Sequence, residues 1–366
     1  MVSLFCGSGG LDLGFEKAGF EPLLALDIDP AAVETYNRNR PPRHEPARIA
    51  DLSSASPSAM LEWWEAKAGN RRPVGVIGGP PCQAFSVSTA HKLEDDPRAK
   101  LPLAYARILD VFNKRFDLEF FVFENVAGLG HRRHSSLLAH FLREFAGAGF
   151  QVRLFCLDAV MFGVPQYRRR MFIVGFNKRR YDASSFVVPR GDGVRLTVRQ
   201  VIGDLPEPVY FSRVGPKPAD VGLHPNHWSM NPRSEKFLNG ALQSGKMVGR
   251  SFRVLKMDAP SWTVAYGHRE VHVHPNGKRR LSVYEAMLLQ AFPSSYELGG
   301  TLSDQIRLVS DAVPPPLAYA LAKSIRYFVA HPSTPARAKA QVVARGQARQ
   351  LGLPGLHTAS PRSTNA

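Results

Sequence analysis

The stretch that decides the fold is SLFCGSGG at residues 3–10, followed by LLALD at residues 23–27. Each stretch begins with a short apolar run that is typical of a buried strand. The first run leads into glycines, which let the backbone approach a ligand closely, and the second ends on Asp27. An acidic residue at this distance binds ribose hydroxyls in nucleotide-type folds, although the Gly-x-Gly-Gly spacing differs from the dinucleotide pattern. The pair modestly favours an adenosine-containing ligand, and a simple packing turn is the alternative.

Further apolar runs of strand length lie at residues 74–77, 120–123 and 171–174. A helical pattern with apolar residues four apart occupies residues 137–145, between the last two runs. This alternation predicts an α/β fold with a doubly wound, mostly parallel sheet covered by helices on both faces. Because ligands bind such sheets outside the carboxyl ends of the strands, the residues just after each strand are the candidate site.

The second half of the chain has a different composition. Residues 178–278 are rich in Pro, Gly, Arg and His and have weak periodicity, which predicts a smaller, irregular, basic domain with one short strand at 262–265. Helical patterns return at 282–291 and 316–328. The last stretch has no acidic residue and is predicted to be disordered. The predicted division is a first domain at 1–177, the irregular domain at 178–278, a return to the first domain at 279–330 and a basic tail at 331–366.

The composition of the chain narrows the class of protein. Its 366 residues are 44% hydrophobic and carry 47 basic and 31 acidic side chains, for a net charge of +16. This excess favours a polyanionic partner, and an arginine-rich genome is the alternative source. No apolar run reaches the roughly 18 residues of a membrane span, and no signal peptide is evident. Three scattered cysteines predict neither a disulfide framework nor a metal site, which favours a reducing cytoplasm. Together with the lack of a long apolar run, this leads us to expect a cytoplasmic protein without contact to a membrane.

The third strand is followed by GGPPCQAFS at residues 78–86, which places Cys82 after two prolines. A cysteine displayed rigidly at the edge of a parallel sheet could act as a thiolate nucleophile. The alternative is a small apolar filler. A zinc deaminase or a redox pair would need a second cysteine where Phe85 stands, and no feature nominates a histidine partner for a cysteine protease.

The fourth strand leads into Glu124 and Asn125, and the segment QYRRR at 166–170 precedes the fifth. The Glu124 carboxylate should lie beside Cys82 at the same sheet edge. Because it would be half-buried and near a thiolate, its pKa should be raised. A helix N-cap is the alternative for this pair. Arg168 and Arg170 alternate, so an extended segment would project both to one face. Two guanidiniums in one pocket suit a phosphate or a base carbonyl, and a solvated basic surface is the alternative.

These pieces, in this order, resemble the DNA cytosine-5 methyltransferase family of bacterial restriction-modification systems. The family pattern is Phe-x-Gly-x-Gly-Gly, an acidic residue, Pro-Cys-Gln, Glu-Asn-Val, Gln-x-Arg-x-Arg and a late Asn-Ala-Val-Pro-Pro-type segment. In this chain the late segment reads SDAVPP at 310–315, and residues 280–293 resemble the motif before it. The resemblance covers residues 3 to about 325.

The resemblance implies a Rossmann-like methyltransferase fold and S-adenosylmethionine as the cofactor, and it makes the irregular domain a target-recognition domain. It assigns Cys82 as the nucleophile that attacks a flipped-out cytosine, with Glu124 at the N3/N4 edge of the base and Arg168 and Arg170 in the base pocket. The remaining implied residues fall into two groups. The cofactor residues are Phe5, Gly7, Gly9, Asp27, Ile28, Asp51 and Asp311, and the DNA-binding residues are Gln83, Ser86, Arg98 and Thr263.

The implied partners are double-stranded DNA and a cognate restriction endonuclease, with the chain as a nucleoid-associated monomer. Ser3 and Asp311 depart from the family pattern, which has Asp and Asn at these places, and a carboxylate at 311 is unfavourable for the carboxylate of the cofactor. Two rival functions are a tRNA cytosine-5 methyltransferase of the same fold, which would have a smaller recognition region, and a catalytically silent DNA-binding regulator.

Overall fold

A computed structural model describes residues 1–41, 44–81, 101–212, 214–249, 251–263 and 272–332. Its main sheet has seven strands: β1 Val2–Leu4, β2 Leu24–Asp27, β3 Ala47–Ile49, β4 Gly75–Gly78, β5 Phe120–Val126, β6 Phe150–Asp158 and β7 Arg169–Asn177. The helices are α1 Gly10–Lys17, α2 Pro30–Arg38, α3 Pro57–Ala68, α4 Leu101–Phe116, α5 Ser135–Gly147, α6 Val198–Ile202, α7 Val283–Leu289, α8 Leu302–Asp311 and α9 Pro315–Ala330.

The strand order of the main sheet is β3-β2-β1-β4-β5-β7-β6. The first five strands pair in parallel, whereas β7 runs antiparallel to both β5 and β6. This confirms the predicted α/β class and the mostly parallel sheet. Successive strands are added on one side of β1 up to β3 and on the other side from β4 onward, so the strand order changes direction between β1 and β4. An open α/β sheet binds its ligand at such a switch point.

Apolar side chains cover both faces of the sheet. One face packs against α3, α4 and α5 through residues such as Phe121, Phe123 and Phe141, and the other packs against α1 and α9. Helices α1 and α9 approach closely, because a Cβ atom at Gly14 would lie 2.4 Å from the Cβ of Ala318. Helix α9 therefore packs beside α1 on this face of the sheet, and it confirms the helical pattern at 316–328.

Between β7 and α7, the described residues form only short elements, which are α6, a few single turns and the strands β8 Val209–Tyr210, β9 Trp228–Ser229, β10 Met247–Val248, β11 Phe252–Val254 and β12 His272–Val273. The strand expected at 262–265 is wrong for its first two residues, which have no strand pairing; Val264 and Ala265 lie outside the described residues. Ser261, just before them, makes an isolated bridge to Gln166. Helix α7 confirms the pattern at 282–291 and begins with a capping box between Ser282 and Glu285.

The predicted apolar runs correspond to five of the seven strands of the main sheet, but some of their ends are placed wrongly, and β3 and β6 were not predicted. β5 extends through Val126, three residues beyond the predicted apolar run, so Glu124 and Asn125 lie inside the strand. The N-cap alternative for this pair is therefore wrong, and their side chains are fixed by strand pairing with β7. None of the helices in the described part of the chain is long and apolar enough to cross a membrane.

Candidate active site

A cavity of about 460 Å³ opens at the carboxyl ends of β1, β2, β4 and β5. This volume is within the range of small-molecule sites. Most residues predicted from the sequence line it together: Phe5, Gly7, Asp27, Ile28, Asp51, Glu124, Arg170 and Asp311. Six of the seven predicted cofactor residues and two predicted catalytic residues therefore share one cleft.

The glycine loop after β1 is held by the carboxylate of Asp27. Phe5, Gly7 and Gly9 all have positive φ angles, of 54°, 53° and 76°, which produces the tight turn into α1. One carboxylate oxygen of Asp27 accepts a hydrogen bond from the Gly7 N–H at 2.8 Å, and the other accepts from the Asp29 N–H at 3.0 Å. Burial raises the pKa of Asp27, and these two bonds oppose the shift. The carboxylate thus shapes the loop from the cleft wall.

Gly9 has a different role from the one predicted. It does not line the cavity, but caps the start of α1. A Cβ atom there would lie 3.1 Å from both the Tyr296 hydroxyl and the ring of Tyr36. Gly9 therefore allows two buried tyrosines to pack behind the loop, and the Tyr296 hydroxyl donates to the Ser8 carbonyl at 2.6 Å.

A buried carboxylate beneath the loop was not singled out from the sequence. Asp12 in α1 is fully buried and accepts hydrogen bonds from the Ser3 hydroxyl at 3.0 Å and the Tyr36 hydroxyl at 2.8 Å. Burial raises the pKa of Asp12 to about 6. Asp12 therefore places a carboxylate beside the Ser3 side chain, at the position where the family pattern has Asp. An acidic residue inside the apolar pattern GLDLGF could have revealed it.

The wall opposite the glycine loop carries Ile28 and Asp51. The Ile28 side chain is 63% exposed, which is unusual for a large apolar residue beside a cavity. Asp51 accepts hydrogen bonds from the N–H and hydroxyl of Ser53 and from the hydroxyl of Ser54, and these bonds lower its pKa. The result is an apolar surface next to a fixed, ionised carboxylate.

Glu124 projects from β5 into the inner end of the cleft. Its carboxylate is 3.1 Å from Arg170 Nε, and both side chains are about nine-tenths buried. A Cβ atom at Gly79 would lie 2.5 Å from Glu124 Oε2, so a glycine is needed where the carboxylate crosses the loop after β4. Burial raises the pKa of Glu124, and the charges of Arg170 and Arg168 oppose the shift.

The same loop leads to Cys82. Asn125 Nδ2 donates to the Pro80 carbonyl at 3.2 Å, which attaches the loop to β5. Pro80 and Pro81 line the cleft with Glu124. Cys82 follows directly but lies outside the described residues, as do Gln83, Ser86 and Arg98.

The structure separates the two arginines that were expected to enter one pocket. Arg170 lies in β7 and reaches the cleft, whereas Arg168 precedes the strand and does not line the cavity. Arg168 is fully buried, and its Nη2 donates to the carbonyls of Ser310 at 2.5 Å and Ala312 at 2.8 Å. The alternation argument fails because strand pairing in β7 begins only at Arg169, so Arg168 is not held in the ladder that aims Arg170 at the cleft. The prediction that both guanidiniums face one pocket is therefore wrong for Arg168.

Arg168 and Arg307 hold the end of α8, where Asp311 lies. The two carbonyls that Arg168 binds flank Asp311, which faces the cleft. Arg307 forms ion pairs with Asp29, the N-cap of α2, and with Asp304. Burial raises the pKa of Asp311, and the charges of Arg168 and Arg307 oppose this. Local sequence patterns could not reveal the role of Arg307, because its partner Asp29 is 278 residues away.

Thr263 contacts the segment that precedes β7. Its hydroxyl donates to the Tyr167 carbonyl at 2.5 Å, next to backbone bonds that join Ser261 to Pro165 and Tyr167. The Thr263 hydroxyl therefore forms an internal hydrogen bond that links residues 261–263 to the segment before β7.

The residues of the cleft fit S-adenosylmethionine. Positive-φ backbone at the end of β1 leaves room for a ligand beside Asp27, a carboxylate suited to ribose hydroxyls. The exposed Ile28 side chain provides an apolar surface for an adenine ring, and the Asp51 carboxylate can accept from an amino group. No ligand-induced change is needed to bring these groups together.

The sheet order, the glycine loop and the strand-end carboxylates define an α/β methyltransferase fold. In comparisons with solved structures, a prophage-encoded protein from E. coli covers 90% of this chain and 99% of its own at 21% identity, with a TM-score of 0.72. A DNMT2 variant from Spodoptera frugiperda covers 89% of this chain and 98% of its own at 18% identity, with a TM-score of 0.62. These identities support the fold alone.

The sequence comparisons identify the family. The family model described as C-5 cytosine-specific DNA methylase matches residues 1–327. The type II methyltransferase M.FnuDI of Fusobacterium nucleatum is 33% identical over 350 residues, which cover 89% of this chain and 94% of the relative. M.NgoPII of Neisseria gonorrhoeae is 31% identical over 351 residues, with 89% and 95% covered. The chain belongs to the C-5 cytosine-specific DNA methylase family and is a DNA cytosine-5-methyltransferase, as the sequence motifs predicted.

Proposed function

We propose that this enzyme methylates C5 of a flipped-out cytosine within a specific sequence of duplex DNA, through a transient bond between Cys82 Sγ and C6 of the base. One observation carries the proposal: Glu124, Arg170 and the Pro80–Pro81 loop that leads to Cys82 lie at one end of a cleft whose other end has the features of a nucleoside site. The reacting base and the methyl donor would therefore meet near the end of β4.

The cofactor would occupy the end of the cleft formed by β1 and β2. Phe5, Gly7 and Asp27 would contact its ribose and methionine parts, and Ile28 and Asp51 would contact adenine. Asp311 would lie near the methionine part, where Arg307 supplies a compensating positive charge. When bound, S-adenosylmethionine supplies an electrophilic methyl group on its sulfonium.

The chemistry explains why a thiol and a buried acid are needed together. C5 of cytosine is a poor nucleophile, so it must first gain electron density. Addition of the Cys82 thiolate to C6, with a proton held at N3 by Glu124, makes C5 enamine-like. After methylation, loss of the C5 proton restores the C5–C6 double bond and breaks the C6–S bond. Covalent catalysis of this kind divides one difficult step into easier ones.

The environment of Glu124 suits proton donation to N3. Because burial raises the pKa of this carboxyl, its protonated form persists to higher pH than that of an exposed glutamate. Arg170, at 3.1 Å, orients the carboxyl and would stabilise charge that develops on the ring. General acid catalysis of this kind contributes roughly 10²–10⁴-fold. Arg168 would act through the backbone around Asp311, whose flanking carbonyls it binds.

The partners follow from the substrate. C6 of a stacked cytosine is shielded, so the base must leave the duplex at a cost of about a few kcal/mol. Contacts between DNA phosphates and a protein of net charge +16 would offset this cost. The irregular domain would read the target sequence, with Gln83, Ser86 and Arg98 near the flipped base. We expect a nucleoid-associated monomer that protects DNA from a cognate endonuclease.

The test is transfer of a tritiated methyl group from S-adenosylmethionine to duplex DNA and, in parallel, to transfer RNA. We expect label in duplex DNA for the wild type and for the control Cys156→Ala, which removes a thiol on β6. The Cys82→Ala enzyme should transfer no label above background. Label that persists in Cys82→Ala would refute the nucleophile, and label confined to transfer RNA would refute the substrate.

A further inference from the structure

A strongly basic turn lies beside the cleft and has no part in the proposed chemistry. The chain leaves β5 at Val126 and forms two 3-10 turns, Ala127–Gly130 and Arg132–His134, before α5 begins. Residues 131–133, here called the basic turn, read His-Arg-Arg, and all three are exposed. The sequence has no acidic residue from 125 to 143. The positive charge of this segment is therefore not neutralised by its own neighbours.

The position of the basic turn places it at the mouth of the cleft. Val126 lines the cavity, and two 3-10 turns at about 2 Å per residue keep Arg132 within about 12 Å of it. A Cβ atom at Gly130 would lie 3.7 Å from Met171 Sδ, so the turn packs on β7, close to Arg170. Arg169, on the same face of β7 as Met171, is exposed as well.

The arginines of the basic turn are available for a ligand. In the described part of the chain, no carboxylate lies within ion-pair distance of Arg132 or Arg133. Arg133 Nε donates to Nε2 of the buried His134 at 3.0 Å, which orients the guanidinium of this exposed residue. Burial and the neighbouring charges lower the pKa of His134, which keeps its ring neutral and able to accept this bond.

We infer that Arg132 and Arg133 bind backbone phosphates of the substrate DNA on the side of the cleft formed by β5 and β7. This inference rests on the proposed function, because a duplex is the polyanion that must lie across the cleft when its cytosine enters. A duplex presents one phosphate charge per about 1.7 Å of axis, and each phosphate neutralised by an arginine releases bound counterions. The two arginines would hold the duplex in register without reading its sequence.

The salt dependence of DNA binding tests this inference. The logarithm of the DNA association constant falls as the logarithm of the salt concentration rises. The double variant Arg132→Gln/Arg133→Gln should make this slope less steep by about 1.8, or about 0.9 for each phosphate contact. From 50 to 200 mM salt, the ratio of wild-type to variant affinity should therefore fall roughly ten-fold. Binding of a labelled duplex is measured by fluorescence anisotropy, and a thermal melt checks that the variant is folded.

A matched control removes the same charge at the far edge of the sheet. Arg143 lies in the second half of α5 and Lys178 just after β7, and both are exposed. Arg143→Gln/Lys178→Gln should bind DNA with the wild-type slope. Equal slopes for wild type and Arg132→Gln/Arg133→Gln, or equal losses in both double variants, would overturn the inference. A loss seen with transfer RNA but not with duplex DNA would overturn the choice of partner. Because these outcomes concern only binding, they are distinct from failure of the wild type to methylate DNA, which would refute the proposed function itself.

Discussion

Replacement of Gly79 by alanine tests whether the placement of the Glu124 carboxylate limits the reaction. The added Cβ atom would lie 2.5 Å from Glu124 Oε2, whereas ordinary contact begins at 3.4 Å. The carboxylate must therefore move by about 0.9 Å, the difference between these distances. A displacement of about 1 Å at a catalytic site can cost about 10²-fold in rate. We expect kcat to fall by about this factor, while the affinity for S-adenosylmethionine stays close to that of the wild type.

The assay is steady-state methyl transfer to duplex DNA, with a thermal melt and a titration of S-adenosylmethionine on the same samples. Gly147→Ala is the matched control, because Gly147 lies in α5 and a Cβ atom there meets nothing within 4 Å. A Gly79→Ala enzyme with normal kcat would refute the reasoning. It would show that the carboxylate either avoids the methyl group without cost or has no part in the rate-limiting step.

Three further variants probe the groups that support the cleft. Arg307→Ala should weaken S-adenosylmethionine binding about ten-fold, because Asp311 then loses its compensating positive charge; this factor corresponds to the free energy of about one charged hydrogen bond. An unchanged Kd in calorimetric titration would contradict this. Arg168→Ala should lower the free energy of unfolding by about 3 kcal/mol, because two buried carbonyls lose their donor, and a urea titration in which the variant matches the wild type would exclude that role. Burial raises the pKa of Asp12 from 3.8 to about 6. The stability that this protonated carboxyl contributes is therefore fully present below about pH 4 and is lost as pH rises through 6. The free energy of unfolding of the wild type should fall by about 3 kcal/mol over this range. Asp12→Asn should remove this pH-dependent fall in stability. An Asp12→Asn variant whose denaturation midpoint keeps the pH dependence of the wild type would contradict the role of Asp12.

The parts of the site that could be predicted from the sequence depend on local patterns. Glu124 and the loop to Cys82 could be placed together because each was predicted at the carboxyl end of a strand in the same parallel sheet, and β4 and β5 are in fact neighbours. The positions of Phe5, Gly7 and Asp27 in one cleft follow from the same rule. These inferences need only the order of motifs and the direction of the strands.

The parts that could not be predicted depend on contacts between distant segments. Arg168 binds carbonyls 142 and 144 residues away, so its alternation with Arg170 gave no guide to its partner. The same limit applies to Arg307 and its ion pair with Asp29. Asp12 was missed for another reason: a lone acidic residue in a short helix is usually exposed, and only tertiary packing under Ser3 and Tyr36 makes it buried.

The central claim of this account is the bond between the sulfur of residue 82 and the target base. It can be tested directly with S-adenosylmethionine and a duplex that carries 5-fluorocytosine at the target position. After methylation, C5 then carries fluorine in place of the proton whose loss breaks the C6–S bond. Because fluorine cannot leave as a cation, the adduct should accumulate. The account predicts a complex of enzyme and DNA that survives denaturation, with the peptide containing Cys82 carrying the added mass of the methylated nucleotide. A normal mass for that peptide, or an adduct at Cys6 or Cys156, would contradict it.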